Sequence, residues 1–166
     1  MVKGFQGDDL TSPDSMAACA KHFAGYGSAE GGRDYNRANV SIRQMHDHHL
    51  PPFKAAIDVG AVSIMTSYSE LDGIPATGDK NLLTNILRDQ WEFTGFVVSD
   101  WNSVMEMLPH GFAGDAKDAA KRAANAGLDF EMYSTALQDN LPQLIADKEV
   151  EQARIDSAVR RMIRAK

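Results

Sequence analysis

Apolar residues in this chain fall into two patterns that alternate along its length: short uninterrupted runs, and longer stretches in which apolar positions recur three or four apart. The runs lie at residues 16–22, 61–67, 96–99 and 127–132. A run without polar alternation reads as a strand covered on both faces, as in a parallel sheet. Between the second and third runs, Leu82, Leu83, Ile86, Leu87 and Trp91 share one helix face after a Gly78-Asp79 start. Before the second, Ile42, Met45 and His49 predict a short helix that Pro51-Pro52 interrupts, with a further turn from Phe53 to Ile57 and a stop at Gly60. Ala116, Ala119, Ala120, Ala123 and Ala124 form a small-residue helix face that lets a helix approach a sheet closely, and Gly127 ends it. Ile155, Val159, Met162 and Ile163 mark one more amphipathic helix. Strand and helix thus alternate in about four right-handed βα units sharing one parallel sheet, an α/β fold.

Length limits how those units close. The 166 residues can bury one core, whereas a complete (β/α)8 barrel takes about 250 residues. Four units make half a barrel or a small open doubly wound sheet, and the strand count leaves both open. The formal charge of −6 argues against nucleic acid as a partner, because a phosphate-binding surface needs a basic excess. The single cysteine, Cys19, excludes a disulfide framework and is expected to be a buried, inert thiol. No run is long enough to span a membrane, and no signal peptide is recognisable at Met1, so no membrane partner is expected and the compartment stays open.

Candidate chemistry gathers where the runs end, since active sites of parallel α/β folds lie at the carboxyl ends of strands. Ser99-Asp100-Trp101 places a carboxylate there; capping of a following helix is the competing role for Asp100. Lys21-His22 ends the first run and enters the glycine-rich loop 25–36. A cationic Lys beside a two-nitrogen His suits a polyhydroxylated ligand, although Lys21 in solvent and His22 as an interior histidine is the plainer alternative. Gly25 and Gly27 are not followed by the spacing of a dinucleotide fingerprint. Met65-Thr66-Ser67-Tyr68 brings a phenol that can hydrogen-bond the neighbouring carboxylate or simply pack under the loop. Trp101 offers an apolar plate for a sugar face, or a hydrophobic anchor. His46, Asp47, His48 and His49 supply metal-ligand atom types, with His46 and His49 on one helix face, but match no ligand motif; His110 has no evident partner. A desolvated Lys21 acting as a Schiff-base nucleophile, with Asp100 or Tyr68 as proton shuttle, defines a rival lyase reading. A non-catalytic sugar-binding remnant is a third.

Taken in order, Lys21-His22-Phe23, the loop Gly31-Gly32-Arg33-Asp34-Tyr35, Met65-Thr66-Ser67-Tyr68, the stretch 87–101 and Ala126-Gly127-Leu128-Asp129 resemble glycoside hydrolase family 3, the β-glucosidase and β-xylosidase group. The resemblance covers nearly the whole chain. It implies a (β/α)8-type barrel of which residues 1–166 supply a single partial domain, about the second half. It further implies a retaining mechanism acting on terminal β-linked glucosyl or xylosyl residues of oligosaccharides or of aryl and alkyl glycosides, without metal or cofactor, in a family often periplasmic or secreted. Asp100 matches the nucleophile, Lys21 and His22 the glycone-binding pair, Tyr68 a residue beside the nucleophile and Trp101 an aromatic flanking the aglycone; Met65 joins the substrate-binding set through its motif. Nearby Lys21 is expected to hold Asp100 ionised. The family's acid/base Glu comes from a second domain and has no match here, and none of Glu30, Glu70 or Glu131 sits in a motif that assigns it the role. An isolated half barrel has exposed strand edges and an unpartnered apolar face, which predicts self-association.

Overall fold

The computed structural model describes residues 1–165. In chain order the elements are α1 (Val2–Gln6), β1 (Cys19–Phe23), β2 (Arg37–Ala38), α2 (Ile42–Gln44) running into a π-turn (Met45–His49), α3 (Pro51–Asp58), β3 (Ser63–Thr66), β4 (Glu70–Leu71), β5 (Ile74–Pro75), a π-helix (Asn81–Gln90), β6 (Phe96–Val98), α4 (Ala116–Ala126), α5 (Ala136–Ala146) and α6 (Gln152–Arg164). β1, β3 and β6 form one parallel sheet with β3 central. Ser63, Ile64 and Met65 pair with Phe96, Val97 and Val98, while the β1–β3 register is irregular between Ala20 and Phe23. The peptide bonds Lys21-His22 and Phe23-Ala24 are cis. β2, β4 and β5 make a separate small sheet beyond the carboxyl end of β3.

Most apolar runs become strands, with shifted bounds. The first strand begins at Cys19 rather than Met16, and Met16 is exposed. The run 127–132 does not extend into a strand: it meets β6 through a single parallel bridge, Val98 to Phe130. The reason lies in Asp129, whose Oδ2 accepts the Val97 amide at 2.9 Å and so takes a donor that a fourth strand would have used. Cys19 is also corrected, because β1 is an edge strand and leaves the thiol exposed.

The helices follow sequence chemistry closely at their ends. Asp79 Oδ1 accepts the amides of Asn81 at 2.8 Å and Leu82 at 3.2 Å, which starts the π-helix. That helix buries Leu82, Leu83, Ile86 and Leu87. Pro51 stands in the first turn of α3, so the Pro-Pro step opens a helix rather than only closing one. Asp115 caps α4 through the Asp118 amide at 2.8 Å, and Gly127 follows its end with φ of +124°. Ala119, Ala120, Ala123 and Ala124 are buried, and their face packs chiefly against α5 rather than the sheet. α5 itself was not foreseen.

A buried ionic hub ties the amino end of β6 to the helices. Asp129 accepts from Arg88 at 2.6 Å and Arg161 at 2.7 Å, and Arg154 lies 3.0 Å away. Burial lowers the Arg88 pKa to about 10 despite that carboxylate. Arg88 also donates to the carbonyls of Phe93 and Gly95, both at 2.6 Å, fixing the turn that feeds β6. The core lies on the side of the sheet covered by the π-helix and α4. Two apolar grooves stay open: one of about 550 Å³ at the β1 edge past Phe5, Met16, Cys19 and Phe53, and one of about 480 Å³ past Ala17, Phe96, Phe130 and Ile163.

Candidate active site

Asp100 lies two residues past the end of β6 and is only 8 % exposed. Its Oδ1 accepts the Trp101 amide at 2.7 Å, and its Oδ2 lies 3.4 Å from His22 Nε2, contributed by β1 across the sheet. The carboxylate therefore has a defined aim and one side-chain neighbour able to donate. Burial pulls the His22 pKa below its ordinary value of 6.5, with Lys21 adding to that and Asp100 and Asp34 opposing it. The same burial favours the neutral imidazole, which stands beside the Asp100 carboxylate.

Lys21 is exposed and forms no ion pair among the described residues; the side chain that stands beside the Asp100 carboxylate is His22. The cause is the turn of backbone at this strand end, which directs His22 to Asp100. Tyr68 is buried beside the site; its hydroxyl donates to the Trp101 carbonyl at 2.6 Å and feels the Asp100 carboxylate close by. Burial and a hydrogen bond with Tyr35 are the leading causes raising the Tyr68 pKa, which keeps the phenol protonated. Met65 is buried at the end of β3, paired with Val98. Trp101 is 53 % exposed and stacks on Tyr133 at 4.1 Å between ring centroids.

Further aromatics complete the wall. Tyr26 lies 4.7 Å from the His22 ring, and Tyr35 lies 4.2 Å from the Tyr68 ring. Tyr26 donates to Asp34, which pushes its pKa up to about 12. Tyr26 and Tyr35 stand inside the glycine-rich loop, yet only their spacing in three dimensions marks them. Tyr133 carries no sequence signal, because it lies beyond the last apolar run. His110, for which the sequence offers no partner, sits 3.2 Å from Glu70. The histidine cluster does not converge, since Asp47 pairs with Arg43 and His49 faces the Ser28 hydroxyl at 3.4 Å. The carboxylates considered for acid work have other partners: Glu30 pairs with Arg37, Glu70 with His110, and Glu131 accepts the Leu137 amide at 2.7 Å and the Ser134 hydroxyl.

The chain matches the Glycosyl hydrolase family 3 N terminal domain over residues 1–165. It belongs to glycosyl hydrolase family 3. The domain of this family is an α/β fold of the TIM-barrel type, and the parallel sheet carrying Asp100 and His22 agrees with it. Among similar proteins is a periplasmic β-glucosidase of Salmonella typhimurium, 39 % identical over 166 residues, covering 100 % of this chain and 22 % of that one. A xylan 1,4-β-xylosidase of Xylanibacter ruminicola is 32 % identical over 98 % of this chain and 19 % of its own length. A β-glucosidase from Listeria innocua, solved in complex with glucose, superposes with a TM-score of 0.97 at 43 % identity, covering 100 % of this chain and 23 % of that one. The chain therefore spans less than a quarter of the length of these family 3 relatives.

Proposed function

We propose that this family 3 domain takes part in retaining hydrolysis of terminal β-D-glucosyl or xylosyl residues, with Asp100 as the nucleophile. The observation that carries the reading is the buried Asp100 carboxylate at the end of β6, oriented by the Trp101 amide at 2.7 Å with His22 at 3.4 Å. A retaining mechanism needs an ionised carboxylate to attack the anomeric carbon, and a second carboxyl group about 5–5.5 Å away to protonate the leaving oxygen. The Trp101 amide fixes one carboxylate oxygen of Asp100 and leaves the other toward His22. Lys21, His22 and Tyr68 line the glycone side, with Met65 beneath and Trp101 at the aglycone side. No carboxyl group here is given the acid role, so we infer weak or no turnover of unactivated glycosides by these residues alone. Similarity to a β-glucosidase solved with glucose supports a glucosyl substrate.

In the same reading, residues 1–166 form one partial domain, about half of a (β/α)8 barrel. The open groove beside β1 supports this, since it exposes apolar side chains where further βα units belong. The Schiff-base alternative loses support because a nucleophilic lysine has to be desolvated and Lys21 is exposed.

Intact-mass labelling with a 2-deoxy-2-fluoro-β-glucoside bearing an activated leaving group tests the nucleophile without acid help. The expected result is one covalent glycosyl adduct, abolished in Asp100→Asn. Equal labelling of the variant removes Asp100 from the role, and a folded wild-type chain that stays unlabelled shows that the glycone pocket needs segments beyond these residues.

A further inference from the structure

We infer that Tyr133 is a specificity-determining residue for the leaving group: it backs the Trp101 indole and holds it as a fixed platform for apolar or aromatic aglycones. This rests on the glycosidase reading above. Tyr133 and Trp101 stack at 4.1 Å with 21° between their planes, yet they are 67 % and 53 % exposed. Two large rings that remain this wet while stacked present contact surface to something outside the chain.

The backbone builds the stack deliberately. Ser99 donates its amide to Phe130 O at 2.9 Å, Asn102 its amide to Met132 O at 3.2 Å, and the Met132 amide reaches Ser99 Oγ at 2.8 Å. These bonds lace the residues on either side of Asp100, Ser99 and Asn102, to the segment leading into Tyr133. Tyr133 has φ of +75°, a left-handed conformation that a bulky residue rarely adopts, and Asn102 has φ of +58°. From the other side, the Tyr68 hydroxyl holds the Trp101 carbonyl at 2.6 Å. An indole so held loses little freedom when a ligand lies on its open face, which favours binding by preorganisation.

The position beside the nucleophile defines what is bound. The polar Lys21, His22 and Asp100 suit the hydroxyls of the reacting sugar, whereas the stack offers broad π-faces with polar atoms only at the indole N–H and the phenol hydroxyl. In a retaining reaction the leaving group departs on the side of the sugar opposite the attacking carboxylate, toward solvent. The exposed stack bordering Asp100 fits that outward group. Tyr133 touches Trp101 and acts through it, so it is a positioning residue.

Calorimetric titration of the whole chain with glucose, methyl β-glucoside and 2-naphthyl β-glucoside tests this, using wild type, Tyr133→Ala and Tyr133→Phe. The expected result is that wild type prefers the naphthyl ligand, that Tyr133→Ala loses about three- to tenfold of that affinity, and that Tyr133→Phe keeps it. Methyl glucoside and glucose bind all three proteins alike. Equal losses for every ligand, or no loss in Tyr133→Ala, overturn the assignment, as does a wild-type chain that binds both glucosides with the same affinity; the glycoside reading survives these outcomes. A folded wild-type chain that binds none of the three ligands overturns both.

Discussion

His22 makes the pocket sensitive to pH. Its folded pKa lies below the ordinary 6.5, with burial as the largest cause. The unfolded chain therefore takes up this proton first, so the contribution of His22 to stability is complete above about pH 6.5 and falls away as pH drops through the window beneath it. An NMR titration of the His22 ring is expected to give a midpoint under 6.5, moving lower still in Asp100→Asn, because the carboxylate is what opposes the burial effect. A midpoint that stays put in the variant contradicts the pairing. A second residue-scale test concerns the hydroxyl chain Thr66–Thr77–Ser103, buried with both links at 2.8 Å. Ser103 in turn donates its amide to Asp100 O at 3.1 Å. Thr77→Val strands the two outer hydroxyls and is expected to cost about 1–3 kcal/mol in urea denaturation, with Thr77→Ser largely restoring it. The sequence places Asp100 and His22 at strand ends but says nothing of this hydroxyl chain, since Ser and Thr at those positions read equally well as turn residues.

Gly95 and Asp129 govern how β6 is seated. A Cβ on Gly95 would stand 2.1 Å from the Val62 carbonyl and 2.6 Å from the Phe93 ring, so Gly95→Ala has to displace the β3–β6 register, and a loss of about 1–3 kcal/mol is expected. Asp129→Asn leaves the guanidiniums of Arg88, Arg154 and Arg161 without their shared carboxylate. Breaking a buried ionic group in this way is expected to cost about 3–5 kcal/mol, read as a lowered denaturation midpoint. Elements were legible where their signals are local. The alanine face of α4 starts at Ala116 and is stopped by Gly127 as its sequence predicts, while the Asp115 cap is seen only in the structure. α5 was hidden by Pro142, which stands inside the helix at a position where proline ordinarily reads as a break. The fourth run misled because periodicity records burial, whereas Asp129 spends a strand donor on its own side chain.

At the scale of the molecule, a packed core sits beside apolar grooves that stay open. α6 shows what this means: its apolar stripe was legible, yet Val159 and Ile163 are 49 % and 65 % exposed and border one of those grooves. Sequence pattern reports which face is apolar, while which partner meets it is a property of topology. Together with the unpaired edge of β1, that face is expected to drive self-association. Light scattering should find a mass above 18.2 kDa that grows with concentration; a monomeric mass with a cooperative melt speaks against it. The edge carries its own reporter. Cys19 is the only thiol in the chain and lies exposed on β1. Its rate of alkylation becomes a clock for occupancy of that edge: quick while the strand is bare, slow once another polypeptide hydrogen-bonds alongside it, and readable at dilutions where scattering is blind.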